Sequence, residues 1–275
     1  MDRRRVNGPE LSVAPLVATV DAEGAVNFVQ ETPKQAFTPD TKRQDGRSAG
    51  DIRPIYLRAG LVNQASGSAY FEQKNTRVTC GVYGPRQNKK AQFNELARLE
   101  CEIKFTPSSC EKRRALHRDP EEKELANFIA QALSPAVKLD RYPKSTISVY
   151  ISVIQCDGWW SAVAAAITCA SVALIDAGID MIDSVVAAST LVANPSTVLM
   201  DASQSEEDAH PHIDAGVLLV AELPTFKSIT HVVQMGKLDI NQTTKATEAC
   251  LEVCAKIHGV VNHYLRESVI QQAEI

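Results

Sequence analysis

Apolar positions recur along this chain with two different periods, and the change from one to the other marks the elements. In "ARLECEIKF", Leu99, Cys101, Ile103 and Phe105 alternate with Arg98, Glu100, Glu102 and Lys104, the pattern of a half-buried antiparallel strand. Further on, Leu125, Phe128, Ile129, Ala132 and Leu133 fall at i, i+3, i+4, i+7 and i+8, one apolar helical stripe facing a core. That helix is well started. Asp119 suits the N-cap, Pro120 the first helical position, and Glu121 and Glu122 complement the positive end of the macrodipole. Its end falls near Pro135.

Three strands in "PIYLRAGLVN", "SGSAYFEQKN" and "TRVTCGVYGP" precede the alternating one, divided by Gly, Ser and Asn. After the helix, Ile147, Val149, Ile151 and Val153 share one strand face. "WWSAVAAAITCASVALIDAG" is small and apolar on nearly every side and closes on Gly178. It predicts a helix buried all round and ended by a glycine cap. Four more strands are expected at 184–193, 197–202, 217–223 and 229–235. A last helix follows "NQTT", with Cys250, Cys254, Ile257, Val261 and Leu265 on one stripe. This order is neither a strict βαβ alternation nor all-β, so it predicts an α/β protein with mixed sheets layered against helices. Residues 1–50 are rich in Pro, Gly, Asp, Thr and charge and have no face to bury. They predict an extended or partly disordered arm ahead of a folded domain at 51–275.

With 275 residues, 44% of them hydrophobic, the chain can bury a large core. A net charge of −4 argues against a nucleic-acid binder held by bulk charge and leaves room for local basic patches. The seven cysteines form no CxxC pair, and several lie in apolar runs, the usage of reduced, buried thiols in a cytosolic or nuclear protein. Cys250 and Cys254 are one helical turn apart. They read as core residues, because no further pair with ligand spacing accompanies them. "MDRRRVNGPE" is followed by no apolar h-region, and the oily run at 162–175 is short and broken by Ser and Thr. Neither a signal peptide nor a membrane span is expected.

Walker A, GxGxxG, HExxH and nucleophile-elbow patterns are absent from the sequence. Two clusters remain. The basic one comprises Arg86, Lys89 and Lys90 in "YGPRQNKK" and Arg113 and Arg114 in "EKRR"; such groups contact phosphates or simply face solvent. The acidic one is Asp201 at a strand end and Glu206 to Asp208 in "SEED". Paired carboxylates can hold Mg²⁺ or serve as a general acid, and acidic loops without such a duty are commoner. His210 and His212 lack further ligands for zinc. No cofactor and no metal is expected.

"DRRRVNGP", "RPIYLRAGLVNQASGSAYFEQKNTRVTCGVYGPR", "RYPKSTI" and "VALIDAGIDMIDSVV" together resemble the RNase PH family. The spacing of GSAY, TxV and YGPR carries the family. The DRRR-xx-GP start and the RYPKS turn resemble its eukaryotic RNA exosome ring subunits of the mRNA transport regulator type. The resemblance implies an RNase PH-like fold. Active members of the family cleave RNA from the 3′ end with inorganic phosphate and release nucleoside diphosphates. They hold the phosphate at the mouth of the helix after the fourth strand, with a small hydroxyl residue and an arginine. Here that position reads Asp119, Pro120, Glu121. A unit charge about 5 Å from a phosphate is worth roughly 3 kcal/mol at an effective dielectric near 20, and Glu in place of Arg reverses its sign. Neighbouring Arg113, Arg114 and Arg118 precede the cap and cannot take the same helical position.

Asp201 and Asp208 match the strand-end carboxylates of active members and are read as relics or structural anchors. The resemblance thus implies a noncatalytic scaffold in a six-membered ring that threads RNA for 3′–5′ processing and degradation. Its expected partners are other RNase PH-like subunits, RNA-binding cap subunits, RNA and an associated nuclease, in nucleus, nucleolus and cytoplasm, with no membrane. Arg86, with Lys89 and Lys90, would line the pore. The alternative within the family is an active phosphate-dependent exoribonuclease. An unrelated α/β enzyme is disfavoured by four motifs matching in order.

Overall fold

The computed structural model describes residues 18–20, 26–28, 43, 45–87, 94–111, 113–114, 119–194, 197–209 and 216–273. Its larger sheet joins β3 (Ile55–Ala59), β4 (Gly67–Gln73), β5 (Thr76–Gln87), β6 (Arg98–Phe105) and β7 (Ser145–Gln155) in the order β3-β4-β5-β7-β6. The smaller joins β8 (Val186–Asn194), β9 (Thr197–Met200), β10 (Gly216–Leu223) and β11 (Ser228–Met235) in the order β11-β10-β8-β9. Within the arm, β1 (Ala18–Val20) and β2 (Val26–Phe28) pair antiparallel, so this segment contains a short hairpin that its composition did not predict.

The period-two face of β7 lies where it was expected, with Ile147, Val149, Ile151 and Val153 buried; in β5 the structure buries Val78, Cys80 and Val82. The direction of β6 differs: it pairs with β7 in parallel. The alternation reports only that one face is covered. Direction is set by α1 (Pro120–Leu133), which carries the chain from the end of β6 back to the start of β7, the crossover that parallel neighbours require.

The apolar helix α2 (Trp159–Asp176) lies between the sheets, against β4 and β5 on one side and β8 and β10 on the other. Every residue from Trp160 to Leu174 is buried. By length and composition it could cross a bilayer; here it is the centre of the core. At its C-terminal end Gly178 takes φ 68°, as the sequence predicted. The last helix, α4 (Ile240–Ala273), covers the outer side of β8 and β10 with Cys250, Val253, Cys254, Ile257 and Val261 buried. It starts at Ile240, so "NQTT" belongs to its first turn. "SEED" is likewise not a loop: it lies in a short helix, α3 (Gln204–Ala209).

Candidate functional site

The end of β9 meets the start of α2 in a cluster of buried charges. Asp201, with φ 52°, turns its carboxylate inward and is 4% exposed, while Arg53 is fully buried. Arg53 Nη2 donates to Asp201 Oδ1 at 2.6 Å, and its Nε and backbone N–H donate to Oδ2 at 2.8 and 3.0 Å. Gln73 Nε2 adds a bond to Oδ2 at 2.9 Å and the Ser161 hydroxyl one to Oδ1 at 2.6 Å. Burial pushes this carboxyl up, but the Arg53 hydrogen bonds and charge outweigh it and hold it below the usual range. A carboxylate with five such donors is an anchor. It has no proton to give and little room for a metal.

Two further arginines tie the segment before β3 to the same turn. Arg43 Nε and Nη2 bind both oxygens of Glu206 at 2.8 and 2.7 Å, and its guanidinium also reaches the carbonyls of Met200 and Asp201. Burial raises the Glu206 carboxyl, but the bonds to Arg43 outweigh it and leave it lowered overall. Arg47 Nη1 reaches Asp201 Oδ2 at 3.5 Å. The sequence reading singled out Asp201 but missed Arg43, Arg47 and Arg53. A carboxylate closing the apolar run "TVLMD" was the available signal, since a buried acid needs a cation; which arginine answers it is a tertiary matter.

The mouth of α2 is already filled by a carboxyl group of the chain itself. Gly158 at its N-cap offers no side chain, and the carboxylate of Glu207 on α3 takes that part. Trp159 N–H donates to Oε2 at 2.7 Å and Trp160 N–H to Oε1 at 3.3 Å, two of the orphan donors that make helix N-termini anion sites. Asp157 stands beside it, accepting from Gln204 N–H at 3.2 Å and from Arg53 at 3.1 Å. Asp208 is exposed and accepts from the Gln204 side chain at 2.9 Å.

Burial raises Glu207 to about 7 against the pull of the two tryptophan amides. A raised acid favours the fold in its protonated form. That contribution is complete below the ordinary carboxylate range and is lost as pH climbs through about 7. The melting temperature is therefore expected to fall from the ordinary carboxylate range up to about pH 7 and to level off above it, and Glu207→Gln to flatten the fall. Parallel pH profiles for the two proteins would remove Glu207 as its source.

At α1 the cap forms as the sequence predicted. Asp119 accepts from Glu121 N–H at 3.3 Å. The surrounding acids are neutralised by Arg114, which lies 3.6 Å from Asp119 and 3.1 Å from Glu121. The Arg114 guanidinium also rests on the stacked rings of Phe105 and Trp159, 5.0 and 4.3 Å from their centroids. Arg114 is thus spent on an internal contact between the two helix mouths, whereas it was expected to face RNA. Arg113 is exposed, and so is Arg86, which lies 5.2 Å from the centroid of the Tyr83 ring. Lys89, Lys90, Arg118, His210 and His212 lie outside the described residues. Among the described residues, no group of three or more His, Cys, Asp or Glu is placed to hold a metal ion.

Two layered sheets enclosing one apolar helix, with a charged turn at that helix's mouth, define a class that the comparisons identify. A model of the 3′ exoribonuclease family, domain 1, matches residues 51–180, and the chain belongs to this family, the RNase PH family. It is 34% identical to exosome complex component mtr3 of Schizosaccharomyces pombe over 96% of this chain and 95% of that protein. It is also 34% identical to exosome complex component MTR3 of Homo sapiens, over 99% and 96%. Among solved structures, rice Rrp46 shares the fold with a TM-score of 0.71 at 24% identity, covering 81% of this chain and all of that one.

Proposed function

We propose that this chain is a noncatalytic ring subunit of an RNA exosome, paired with related RNase PH-like chains around a channel that passes RNA to a nuclease elsewhere. The observation that carries this reading is the internal occupancy of the site. Glu207 fills the anion position at the mouth of α2, and Arg53 neutralises Asp201. A phosphate at the α2 mouth would have to displace a covalently tethered carboxylate. A scissile RNA phosphate would find no free acid at Asp201 to protonate its leaving group. At α1 the acids Asp119 and Glu121 offer an anion no better reception.

Arg86 is the described residue best placed for RNA: exposed, basic and beside an aromatic ring, as sequence-independent phosphate contact requires. Lys89 and Lys90 extend that patch in the sequence, and Arg113 supplies a second exposed charge. Cap subunits complete the assembly, and the proposed sites of action are nucleus, nucleolus and cytoplasm.

Capture of the endogenous protein through a tag on this chain, followed by native mass measurement and an assay for nucleoside diphosphate release, tests the reading. A large hetero-oligomer of related chains without phosphate-dependent release is expected. Crosslinking of RNA to it should weaken in Arg86→Ala. A homo-oligomer that consumes RNA only when phosphate is present would overturn the proposal.

A further inference from the structure

The seven thiols fall into three environments. Cys80, Cys169, Cys250 and Cys254 are sealed in the core, and burial raises all four. Cys101 is partly exposed, yet burial still raises it to about 12. Cys110 and Cys156 differ. Both are partly exposed, and they come from segments that fold places side by side: the turn after β6 and the residue after β7.

The pairing of these segments is fixed by backbone bonds. Thr106 N–H donates to Val153 C=O at 3.0 Å and Cys156 N–H to Ser109 C=O at 2.9 Å, and the Thr106 hydroxyl reaches Ile154 C=O at 3.1 Å. The Ser109–Cys156 bond brings the two cysteine backbones together as neighbouring strands are, and disulfides span Cα atoms about 4.4–6.8 Å apart. The two thiols lie near enough to shift one another's titration, Cys110 down and Cys156 up. Ser109 Oγ, which donates to Thr106 C=O at 2.8 Å, lies 3.5 Å from Cys110 Sγ, and Arg114 adds a positive charge beside that thiol. Cys156 faces the opposite field: Glu207 and Asp157 stand near it, and its Sγ also contacts Gly158 C=O at 3.4 Å.

We infer that Cys110 and Cys156 form a reversible dithiol site in which Cys110 reacts with hydroperoxides and Cys156 resolves the product to a disulfide. The neighbouring Cys156 thiol and the Arg114 charge favour the Cys110 thiolate, which is the nucleophilic form. In the first step Cys110 Sγ attacks one peroxide oxygen. The O–O bond breaks, an alcohol or water leaves, and a sulfenic acid remains. In the second, Cys156 Sγ gives up its proton and attacks Cys110 Sγ. The S–S bond forms, the S–O bond breaks, and hydroxide leaves with that proton as water. Two thiols have lost two electrons and the hydroperoxide has gained them. Dithiol reagents reverse the reaction by exchange. Oxidation removes the thiolate beside Arg114 and leaves that guanidinium to Asp119, Glu121 and the aromatic pair.

The purified full-length chain, treated with hydrogen peroxide, alkylated and mapped without reduction, tests this. A peptide joining Cys110 to Cys156 is expected, absent after dithiothreitol and unchanged in Cys101→Ser. In Cys156→Ser, dimedone should label Cys110. In the untreated protein near neutral pH, Cys110 should alkylate at least about tenfold faster than Cys101. No joined peptide in the wild type, or equal alkylation of Cys110 and Cys101, would overturn the inference.

Discussion

Asp201→Ala leaves the buried Arg53 with only the Asp157 carboxylate, at 3.1 Å, as counter-charge, and the chain is expected to lose about 3 kcal/mol of stability, the lower end of the cost of breaking a buried pair. That is a large part of the roughly 5–15 kcal/mol that holds a domain folded, so much of the variant should be recovered unfolded or aggregated. Arg53→Met should cost a similar amount by the reverse route, since the Asp201 carboxylate then keeps only Gln73, Ser161 and the Arg53 backbone N–H as close donors. The double variant Asp201→Ala with Arg53→Met removes both charges and should lose less than the sum of the two single variants. Denaturant melts of the four proteins read the coupling. Single variants that each cost less than about 1 kcal/mol would show a pair screened by water.

The same network dictates the response to acid. Asp201 and Glu206 both have carboxyls lowered by their arginines, so their contribution is present above the ordinary carboxylate range and lost as pH falls through the lowered folded values. Glu207 has the opposite sign, being raised to about 7. Stability should therefore be greatest near the ordinary carboxylate range, falling above it through Glu207 and below it through the arginine-bound acids.

What could be read from the sequence was whatever a single element decides for itself. The α1 stripe and its cap, the face of β7, and the all-round burial of α2 follow from local periodicity, and each is present. The direction of β6 was not legible, because alternation describes the cover of one face and carries no information on the neighbour's polarity. "SEED" contains three acids and no apolar stripe, so nothing local marks it as helical; its helix is held by Asp157 accepting from Gln204 N–H, by Glu206 on Arg43 and by Glu207 on α2. The family resemblance placed the anion question at the mouth of α1. The structure puts Asp201 and Glu207 at the mouth of α2, through residues 157–161 and 201–207 that approach only in the folded chain. Arg114 bridges the two mouths, which explains why reading either one alone from sequence was incomplete.

Gly158→Ala tests how rigidly that junction is built. Gly158 adopts φ 106°, which L residues rarely take, and a β-carbon there would sit inside the van der Waals envelope of the Ala202 carbonyl oxygen, with the Ser161 side chain also at 3.4 Å. Neither obstacle is the end of a flexible side chain. Ala202 follows Asp201 directly, so relief of the clash must displace either the turn that aims the Asp201 carboxylate or the first turn of α2, where Ser161 donates to it. Backbone strain and overpacking together should cost about 2–6 kcal/mol. Gly178→Ala separates the two terms: Gly178 also has positive φ, at 68°, but nothing lies within 4 Å of its added β-carbon, so only strain of about 1–2 kcal/mol is expected. Thermal melts of both variants decide the matter. If Gly158→Ala is as mild as Gly178→Ala, the Ala202 carbonyl yields without cost and the α2 mouth is not rigidly coupled to Asp201. If it is much worse, the close approach of two backbones at Gly158 is what holds the anchored carboxylate and the occupied helix mouth in one fixed arrangement.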